Sequence, residues 1–411
     1  MSRSGGNSEL PSAADVVVVG GGVFGCSAAL HLAQSGAGSV ALIERASSIA
    51  RQTTYAGAGF VSLWSAGGAQ PEFEIEQYGR AFYLQLAQDF EIGLKRVGLL
   101  FVALSQTAAA QQQRHHAETQ KRLPPGEAEW VDAMRARELA PIFAAGQMAG
   151  AEYWPRAIGV NAARVAPAMA QQFAALGGRV CVNVAVTGID VQRGQVQSVQ
   201  TSAGRIQTQC VVNAAGAWAG RIASAVGVQM PLLPTQVSRF VTQPIAGVPE
   251  HLPLLLIHDH CGLYMREHEG GLLIGSDQTL MHGPQLITRA AQTMRPRAEQ
   301  GGDLPDDVRA LPNDIALFNE FAARRLAAAI PALGAFHIKE TRHGLPVRTP
   351  DMRPVLGEAP NVRGFYMLSG DNECGVTRGP GLGKLLAELI VCGQPSADIA
   401  PLRVNRFGDM D

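Results

Sequence analysis

The pattern of apolar and polar residues near the start of the chain changes from strand-like to helix-like and back. Val16–Val19 is a run of β-branched residues without alternation, which predicts a strand buried on both faces, as in a parallel sheet. Residues 26–34 are mostly small or apolar and are followed by glycines, which predicts a helix ending near residue 36. Val40–Ile43 then predicts a second buried strand. This order of elements indicates a parallel α/β unit.

Two later segments return to the buried-strand pattern, and a stretch of different character separates them. Residues 210–220 (CVVNAAGAWAG) and 364–370 (GFYMLSG) each run from an apolar strand into a glycine turn. Residues 236–278 contain four short segments, VSRFVTQ, PLLLIHD, CGLYMRE and GLLIGSD, which predict an antiparallel sheet. We therefore expect an α/β fold (α+β overall) in which a Rossmann-like dinucleotide-binding domain is interleaved with a substrate domain built on an antiparallel sheet.

These changes of pattern predict a division of the chain. We expect a disordered N-terminus at 1–14, a discontinuous dinucleotide-binding domain at 15–95, 150–225 and 335–400, and a substrate domain at 96–149 and 226–334. The other expected elements are helices at about 72–96, 165–176 and 318–330, a strand at 98–104, and a hairpin that turns at Arg193-Gly194. Residues 284–314 are polar and rich in Arg, Pro and Gly, which favours a surface insertion over a mobile lid.

A glycine turn joins the first strand to the first helix. Gly20, Gly22 and Gly25 form the pattern G-x-G-x-x-G. The first glycine allows a tight turn, the second lets a pyrophosphate approach the backbone at the helix N-terminus, and the third lets helix and strand pack closely. Glu44 ends the second strand, where a carboxylate accepts hydrogen bonds from ribose hydroxyls and disfavours a 2′-phosphate. The pattern predicts bound FAD or NAD.

Composition and charge narrow the class of protein. A chain of 411 residues exceeds the usual size of one core, and a net charge of −1 gives no reason to expect nucleic acid or an anionic membrane as a partner. The sequence has no apolar run long enough to span a membrane, and residues 1–14 lack the apolar region of a secretory signal. The six cysteines have no C-x-x-C spacing. We expect a cytoplasmic protein that acts on small molecules.

Two groups of histidines do not support a metal site. His115 and His116 lie among Gln, Arg and Glu residues, which predicts a solvated helix. His258 and His260 flank Asp259 on a predicted strand, where alternate residues share a face and the aspartate points the other way. The sequence therefore predicts no metal.

Five segments, taken in order, resemble one family of flavoproteins. They are the unit at 15–45 and the stretches TTYAGAG, VVNAAGAWAG, GLPVRTPDMRPVLGEAP and GFYMLSGDNECGVTRGPGLGKLLAELIVCGQPSADI. Together they resemble the D-amino-acid and glycine oxidases, and residues 343–407 most resemble the FAD domain of sarcosine and dimethylglycine dehydrogenases. The resemblance spans roughly residues 15–407 and implies FAD as the cofactor.

The resemblance also implies which residues contact FAD. In that family the glycine turn holds the pyrophosphate, the acid holds the ribose, and the loop after the second strand contacts pyrophosphate and flavin. The late loop before the last helix lies against the pyrimidine end of the flavin, where backbone N–H groups stabilise the negative charge of the reduced state. The residues expected to bind the cofactor are Gly20, Gly22, Val23, Phe24, Gly25, Glu44, Arg45, Thr53, Thr54, Ala58, Gly59, Phe60, Val184, Ala215, Gly216, Trp218, Gly370, Glu373, Cys374, Gly375, Val376 and Thr377.

The chain departs from the family at the positions of covalent attachment. Dimethylglycine and sarcosine dehydrogenases often attach FAD through a histidine in a T-T-W-H-A-A-G loop, where this chain has Ala56. Monomeric sarcosine oxidases use a cysteine at the position of Gly344. The resemblance therefore implies non-covalent FAD. Glu373 and Cys374 also replace smaller or uncharged residues, which fits either a substrate with a positive or multiply polar end or a buried glutamate held by a backbone donor.

The candidate catalytic residues are Tyr264, His343 and Arg348. Tyr264 lies on the predicted antiparallel sheet, Arg348 suits a substrate carboxylate, and His343 suits polar contact or proton transfer. Each also has a purely structural interpretation, in which Tyr264 braces the sheet, Arg348 pairs with Asp351, and His343 is a satisfied loop residue.

The expected activity is oxidation of the C–N bond of an amino acid or N-alkyl amino acid, with hydride transfer to flavin N5. The substrate is a small amine or amino acid, and oxygen, a quinone or an electron-transfer protein accepts the electrons. Two alternatives remain. The chain could be the FAD-bearing subunit of a heteromeric opine, proline or hydroxyproline dehydrogenase, with a partner subunit, or a flavin-binding protein without oxidase activity. The resemblance does not extend to the folate-binding domains of the longest relatives, so we expect the product to be released to water.

Overall fold

The computed structural model describes residues 9–68, 70–257, 262–276 and 304–408. The helices within these ranges are α1 (Val23–Gln34), α2 (Glu72–Asp89), α3 (Gln106–Gln120), α4 (Ala133–Leu139), α5 (Ala162–Ala175), α6 (Ala219–Ser224), α7 (Asp314–Arg325) and α8 (Gly375–Cys392). The strands are β1 (Val16–Val19), β2 (Val40–Ile43), β3 (Phe60–Val61), β4 (Leu99–Ala103), β5 (Glu129–Asp132), β6 (Gly150–Trp154), β7 (Ile158–Gly159), β8 (Arg179–Cys181), β9 (Val186–Gln192), β10 (Gln195–Thr201), β11 (Gly204–Gln207), β12 (Val211–Asn213), β13 (Leu233–Pro234), β14 (Val237–Thr242), β15 (Leu254–Ile257), β16 (Leu263–His268), β17 (Gly271–Ser276), β18 (Ile338–Gly344), β19 (Val347–Arg348), β20 (Val355–Glu358) and β21 (Phe365–Ser369).

The first large sheet has six strands in the order β20-β21-β12-β1-β2-β8. The four pairings from β21 to β8 are parallel, and β20 pairs antiparallel at the edge. Both predicted strands, Val16–Val19 and Val40–Ile43, are confirmed with every residue buried. Helix α1 begins at Val23, three residues before the predicted start, because the helix opens directly on the glycine turn. The predicted Rossmann-like arrangement is confirmed.

The second large sheet has eight strands in the order β18-β14-β17-β16-β15-β4-β6-β5. Its pairings are antiparallel, as predicted for residues 236–278, except that β15 and β4 run parallel. Strands β6 and β18 lie in this sheet, although the predicted division places residues 150–154 and 338–344 in the dinucleotide-binding domain. The chain therefore crosses between the two sheets at other points than the sequence pattern suggests.

Several smaller elements differ from the expectations at their ends. Helix α2 stops at Asp89 rather than near residue 96, since the chain turns at Gly93, where φ is +65°. The hairpin between β9 and β10 does turn at Arg193 and Gly194, whose φ values are +51° and +71°. His116 is buried against Glu152, with 2.9 Å between Nδ1 and Oε1, so the prediction that it lies on a solvated surface is wrong.

Part of the predicted insertion at 284–314 can be placed. Residues 304–311 contribute Leu304, Val308 and Leu311 to the apolar core beside the first sheet. His258, His260 and residues 277–303 lie outside the described residues. Within the described part of the chain, no helix is both long and apolar enough to cross a membrane.

Candidate active site

A continuous cleft runs between the two large sheets. It consists of three adjoining cavities, which share wall residues: Thr53 and Thr54 line the first and second, and Arg239 and Glu373 line the second and third. We call these the dinucleotide end, the middle and the sheet end. The dinucleotide end lies at the carboxyl ends of β1, β2 and β12, which is where open α/β sheets bind their ligands.

Most of the predicted cofactor-binding residues line this cleft. The dinucleotide end is lined by Gly20, Gly22, Glu44, Arg45, Thr53, Thr54, Val184, Ala215, Gly216 and Trp218. The middle adds Val23, Phe24, Glu373, Gly375 and Val376, and the sheet end adds Ala58, Gly59, Phe60, Cys374 and Thr377. Gly25 and Gly370 do not line any of the three cavities.

The glycine turn has the geometry that a bound pyrophosphate requires. Gly20 has φ +108°, and a Cβ there would lie 2.5 Å from the Ala214 carbonyl oxygen. A Cβ on Gly25 would lie 1.8 Å from the Gly20 carbonyl oxygen, so this glycine allows helix and strand to pack. Gly22 instead faces the cleft, where the nearest atom to such a Cβ would be Thr54 Oγ1 at 3.3 Å. The backbone is thus open to a ligand only at the second glycine of the motif.

Glu44 connects the glycine turn to the second strand. Its Oε2 accepts a hydrogen bond from the Gly21 N–H at 2.6 Å, and its Oε1 accepts one from the Ala46 N–H at 2.7 Å. The carboxylate is buried at the dinucleotide end. The amide of Val184 donates to the Glu44 carbonyl oxygen at 3.0 Å, so this N–H is already engaged within the protein.

A cation and an indole form the outer wall of the dinucleotide end. The Arg45 guanidinium lies 3.9 Å from the centre of the Trp218 ring and donates to the Asp306 carbonyl oxygen at 2.6 Å. Gln52 Oε1 accepts from the Val308 N–H at 3.0 Å. The described part of the predicted insertion therefore contacts two residues that line this end of the cleft, Arg45 and Gln52.

The loop after β2 spans the cleft from the middle to the sheet end. Thr54 Oγ1 accepts from the Val23 N–H at 3.0 Å, and Thr53 Oγ1 accepts from the Leu345 N–H at 2.9 Å. Ala56 is fully buried, and a Cβ on Gly344 would lie 3.2 Å from its own Cβ. The two positions that the resemblance compares with sites of covalent FAD attachment therefore lie next to each other, and neither has a nucleophilic side chain in this protein.

The late loop between β21 and α8 forms the opposite wall. Thr377 Oγ1 donates to the Phe60 carbonyl oxygen at 3.0 Å and accepts from Trp64 Nε1 at 3.1 Å, which ties this loop to the sheet end. Gly370 has φ +70°, so it serves the turn rather than the cleft wall. Burial raises the pKa of Asp371 to about 6 and that of Cys374 to about 11, which leaves the Cys374 thiol protonated at neutral pH.

At the sheet end, Tyr264 is joined by Arg239, which the sequence analysis did not identify. Arg239 Nε donates to the Tyr264 hydroxyl, and Nη1 donates to the Ala56 carbonyl oxygen at 2.7 Å. Gly275, on the strand between them, leaves room for this pair, since a Cβ there would lie 2.5 Å from the Tyr264 oxygen. A lone arginine inside the apolar stretch VSRFVTQ is the signal that could have found it.

Two of the three predicted catalytic residues do not reach the cleft. His343 lies opposite Ser238 across β14 and β18, with 2.7 Å between Nδ1 and the serine Oγ. Adjacent residues of a strand point to opposite faces, and Arg239 faces the cleft, so His343 faces away from it. Burial lowers its pKa, which keeps the imidazole neutral. The prediction of a substrate contact for His343 is corrected on this ground.

Arg348 is buried on β19 and does not line the cleft. Its Nη2 donates to Glu373 Oε1, so its charge is already paired within the protein. Asp351, the partner expected on structural grounds, pairs with Arg406 instead. Glu373 is held by a side-chain donor, Arg348, whereas the structural interpretation of Glu373 expected a backbone donor. Because Arg348 lines none of the three cavities, the structure does not bring it to the cleft as a direct carboxylate anchor.

The residues present fit FAD. Helices α1 and α8 both begin at the cleft, and the positive ends of their dipoles favour the negative charge of phosphates and of a reduced flavin. Trp218 Nε1 has no acceptor among the described residues. Together with the open backbone at Gly22, these features define a dinucleotide-dependent oxidoreductase.

Comparison with known proteins identifies the family. The family model described as FAD dependent oxidoreductase (DAO) matches residues 15–389, so the chain belongs to this family. The resemblance seen in the sequence is thereby confirmed, and the cofactor of the family is FAD.

Curated relatives match over nearly the whole chain. Mouse mitochondrial sarcosine dehydrogenase is 31% identical over 98% of this chain and 42% of its own length. The mouse mitochondrial pyruvate dehydrogenase phosphatase regulatory subunit is 28% identical over 97% of this chain and 44% of its own length. The chain thus spans less than half the length of either relative.

One relative matches along its full length. Glycine oxidase from Geobacillus kaustophilus (strain HTA426) is 27% identical over 95% of this chain and 97% of its own. The crystal structure of glycine oxidase from Geobacillus kaustophilus superposes with a TM-score of 0.77, covering 96% of this chain and 99% of the other at 24% identity. The two proteins therefore share a fold over the parts that superpose.

Proposed function

We propose that this chain catalyses FAD-dependent oxidation of the C–N bond of an amino acid or N-alkyl amino acid. The observation that carries the proposal is the position of Arg239 and Tyr264. Both line the sheet end, beside the loop after β2 that the resemblance assigns to the flavin. A cation and a hydroxyl on a buried apolar face suit a small ligand with a carboxylate. The names of two relatives, sarcosine dehydrogenase and glycine oxidase, support an amino-acid substrate.

FAD, when bound, supplies the acceptor for the hydride. The residues of the chain orient the substrate and exclude water. Arg239 binds the carboxylate, and the Tyr264 hydroxyl, which already accepts from Arg239, holds the guanidinium in place. Phe60 packs edge-on to Tyr264 at 5.6 Å, and Leu256 and Trp64 complete an apolar wall. Keeping water out favours an unprotonated amine and a close approach of its C–H bond to the flavin.

The proposal is tested by anaerobic reduction of the purified, FAD-loaded protein. We expect sarcosine, dimethylglycine, glycine or a D-amino acid to bleach the flavin absorption, and Arg239→Met to need a much higher concentration of the same substrate. Reoxidation by air, by a soluble quinone or by an electron-transfer protein then distinguishes the acceptors. Bound flavin that no amine or amino acid reduces would contradict the proposal.

A second candidate is a flavin-binding subunit that acts with or on a partner. It is favoured by the relative named as a regulatory subunit, which matches nearly all of this chain. If no amine reduces the flavin, the chain is co-expressed with a candidate partner subunit, and the complex is purified through a tag on this chain. Reduction that appears only in the complex would support the heteromeric dehydrogenase.

A further inference from the structure

A single carboxylate lies between two arginines at the junction of the middle and the sheet end. Glu373 Oε1 accepts from Arg348 Nη2, and Glu373 Oε2 lies 3.6 Å from Arg239 Nη2. All three side chains are largely buried, with exposed fractions of 15% for Glu373, 2% for Arg348 and 7% for Arg239. The Asp371 carboxyl also lines the middle of the cleft and interacts with the charge of Arg348, so a second acid lies beside this group.

The two ion pairs are unequal. Glu373 is hydrogen-bonded to Arg348, whereas 3.6 Å from Arg239 exceeds the length of a hydrogen bond. Arg239 already uses Nε for Tyr264 and Nη1 for Ala56. Its Nη2 is therefore the guanidinium nitrogen that faces Glu373 without a hydrogen bond to it. An anionic ligand placed there would accept a hydrogen bond from Nη2 of Arg239.

The local backbone keeps Glu373 on the Arg348 side. Asn372 and Glu373 have φ values of +48° and +63°, a conformation that non-glycine residues adopt only where their surroundings impose it. The Asn372 N–H donates to the Val347 carbonyl oxygen at 3.0 Å, and the Val347 N–H donates to Asp371 Oδ1 at 2.7 Å. The late loop is thus hydrogen-bonded to β19, the strand that carries Arg348, whereas Arg239 lies on β14 of the eight-stranded sheet.

We propose that Arg348 is a positioning residue that holds Glu373 away from Arg239, so that Arg239 remains able to bind the carboxylate of the substrate. Glu373 is then a specificity determinant, because it repels a second carboxylate and selects monocarboxylate amino acids. The proposal rests on the proposed function in one respect, since the anion bound at Arg239 is taken to be that of an amino-acid substrate.

Removing Arg348 and removing the charge of Glu373 should have opposite effects on carboxylate binding. Without Arg348, Glu373 still lies beside Arg239 and competes with the ligand for that guanidinium group. Without the negative charge of Glu373, both guanidinium groups attract the ligand. The double substitution removes both the Glu373 carboxylate and the Arg348 guanidinium group. Arg239 is then the member of the group that remains to bind the ligand. A merely structural role for Arg348 would weaken folding but would not predict this order.

The test uses the FAD-loaded protein with acetate as the probe, acetamide as its neutral analogue, and the change in flavin absorption as the readout. We expect acetate, but not acetamide, to bind the unaltered protein. Arg348→Met should weaken acetate binding about ten- to hundredfold, Glu373→Gln should strengthen it, and the double variant should recover most of the loss. Arg80→Met is the matched control, since Arg80 pairs with Glu127 away from the cleft at 2.7 Å; it should leave acetate affinity unchanged.

Several results would overturn the inference. They are equal affinity for acetate and acetamide, unchanged acetate affinity in Arg348→Met, or a double variant as weak as Arg348→Met. If Arg348→Met does not fold, the inference is tested with Glu373→Gln alone. Acetate binding that is unchanged or weaker in Glu373→Gln would contradict the proposed competition. Amino acids that bleach the flavin without this order of affinities would leave the proposed function standing and the inference refuted. The expected order of acetate affinities, in a protein whose flavin no amine bleaches, would refute the proposed oxidation and leave the inference standing.

Discussion

At the scale of single residues, Glu44 holds the dinucleotide end together. Its carboxylate accepts from the N–H groups of Gly21 and Ala46 and is placed to accept from ribose hydroxyls as well. Glu44→Ala should weaken FAD binding by about ten- to hundredfold, because a charge-assisted hydrogen bond contributes about 1.5–3 kcal/mol. Titration of apoprotein with FAD, followed by flavin fluorescence, measures the change. Glu118→Ala, on the exposed surface of α3, is the control, and equal affinities in both variants would contradict the role of Glu44.

Asp371 makes stability depend on pH. Burial raises its pKa from 3.8 to about 6, so the folded protein binds this proton more tightly than the unfolded chain does. Its contribution therefore lowers the free energy of unfolding as pH rises from about 4 to about 6, by about 2–3 kcal/mol in total. Asp371→Asn removes this contribution. Urea unfolding of both apoproteins between pH 4.5 and 7.5 measures the free energy of unfolding. Relative to the unaltered protein, the variant should become more stable as pH rises. A difference that does not change with pH would refute the raised pKa of Asp371.

At the scale of elements, the loop after β2 and the end of β18 decide how the cofactor is held. Ala56 and Gly344 lie so close that a Cβ on Gly344 would be 3.2 Å from that of Ala56, and neither residue is a nucleophile. Acid or heat denaturation should therefore release all of the yellow colour into the supernatant. Flavin that remains with the precipitated protein after washing would show a covalent bond and would refute this prediction.

At the scale of the whole molecule, the cleft is lined by residues of both large sheets, so a bound cofactor would contact residues from each. FAD bound only to the folded state should raise the free energy of unfolding by about 2.7 kcal/mol at a hundredfold excess over Kd. Thermal denaturation at increasing FAD concentration measures this. Gly22→Val should abolish the rise and purify colourless, because a branched side chain fills the open backbone position in the cleft. Gly220→Val, where a Cβ meets nothing within 4 Å, should keep it.

The elements with a strong local pattern could be predicted from the sequence. Val16–Val19 and Val40–Ile43 are strands because continuous β-branched or apolar runs are stable only when buried on both faces. The positions of Gly20 and Gly25 follow from close backbone contacts that exclude any side chain. The order of motifs was enough to identify the family, since each motif reflects a contact with the same cofactor.

The partners of charged side chains were decided by the tertiary structure. Arg348 is predicted from the sequence to bind a substrate carboxylate, with a pair to the nearby Asp351 as the structural alternative. It pairs with Glu373 instead, because the fold brings β19 beside the late loop. His343 faces away from the cleft and Arg239 faces into it, since the register of β14 and β18 sets which face each strand residue occupies. Local sequence determines strand, turn and helix through short-range sterics and burial. Which charge meets which, and therefore what the cleft can bind, depends on contacts between residues far apart in the chain.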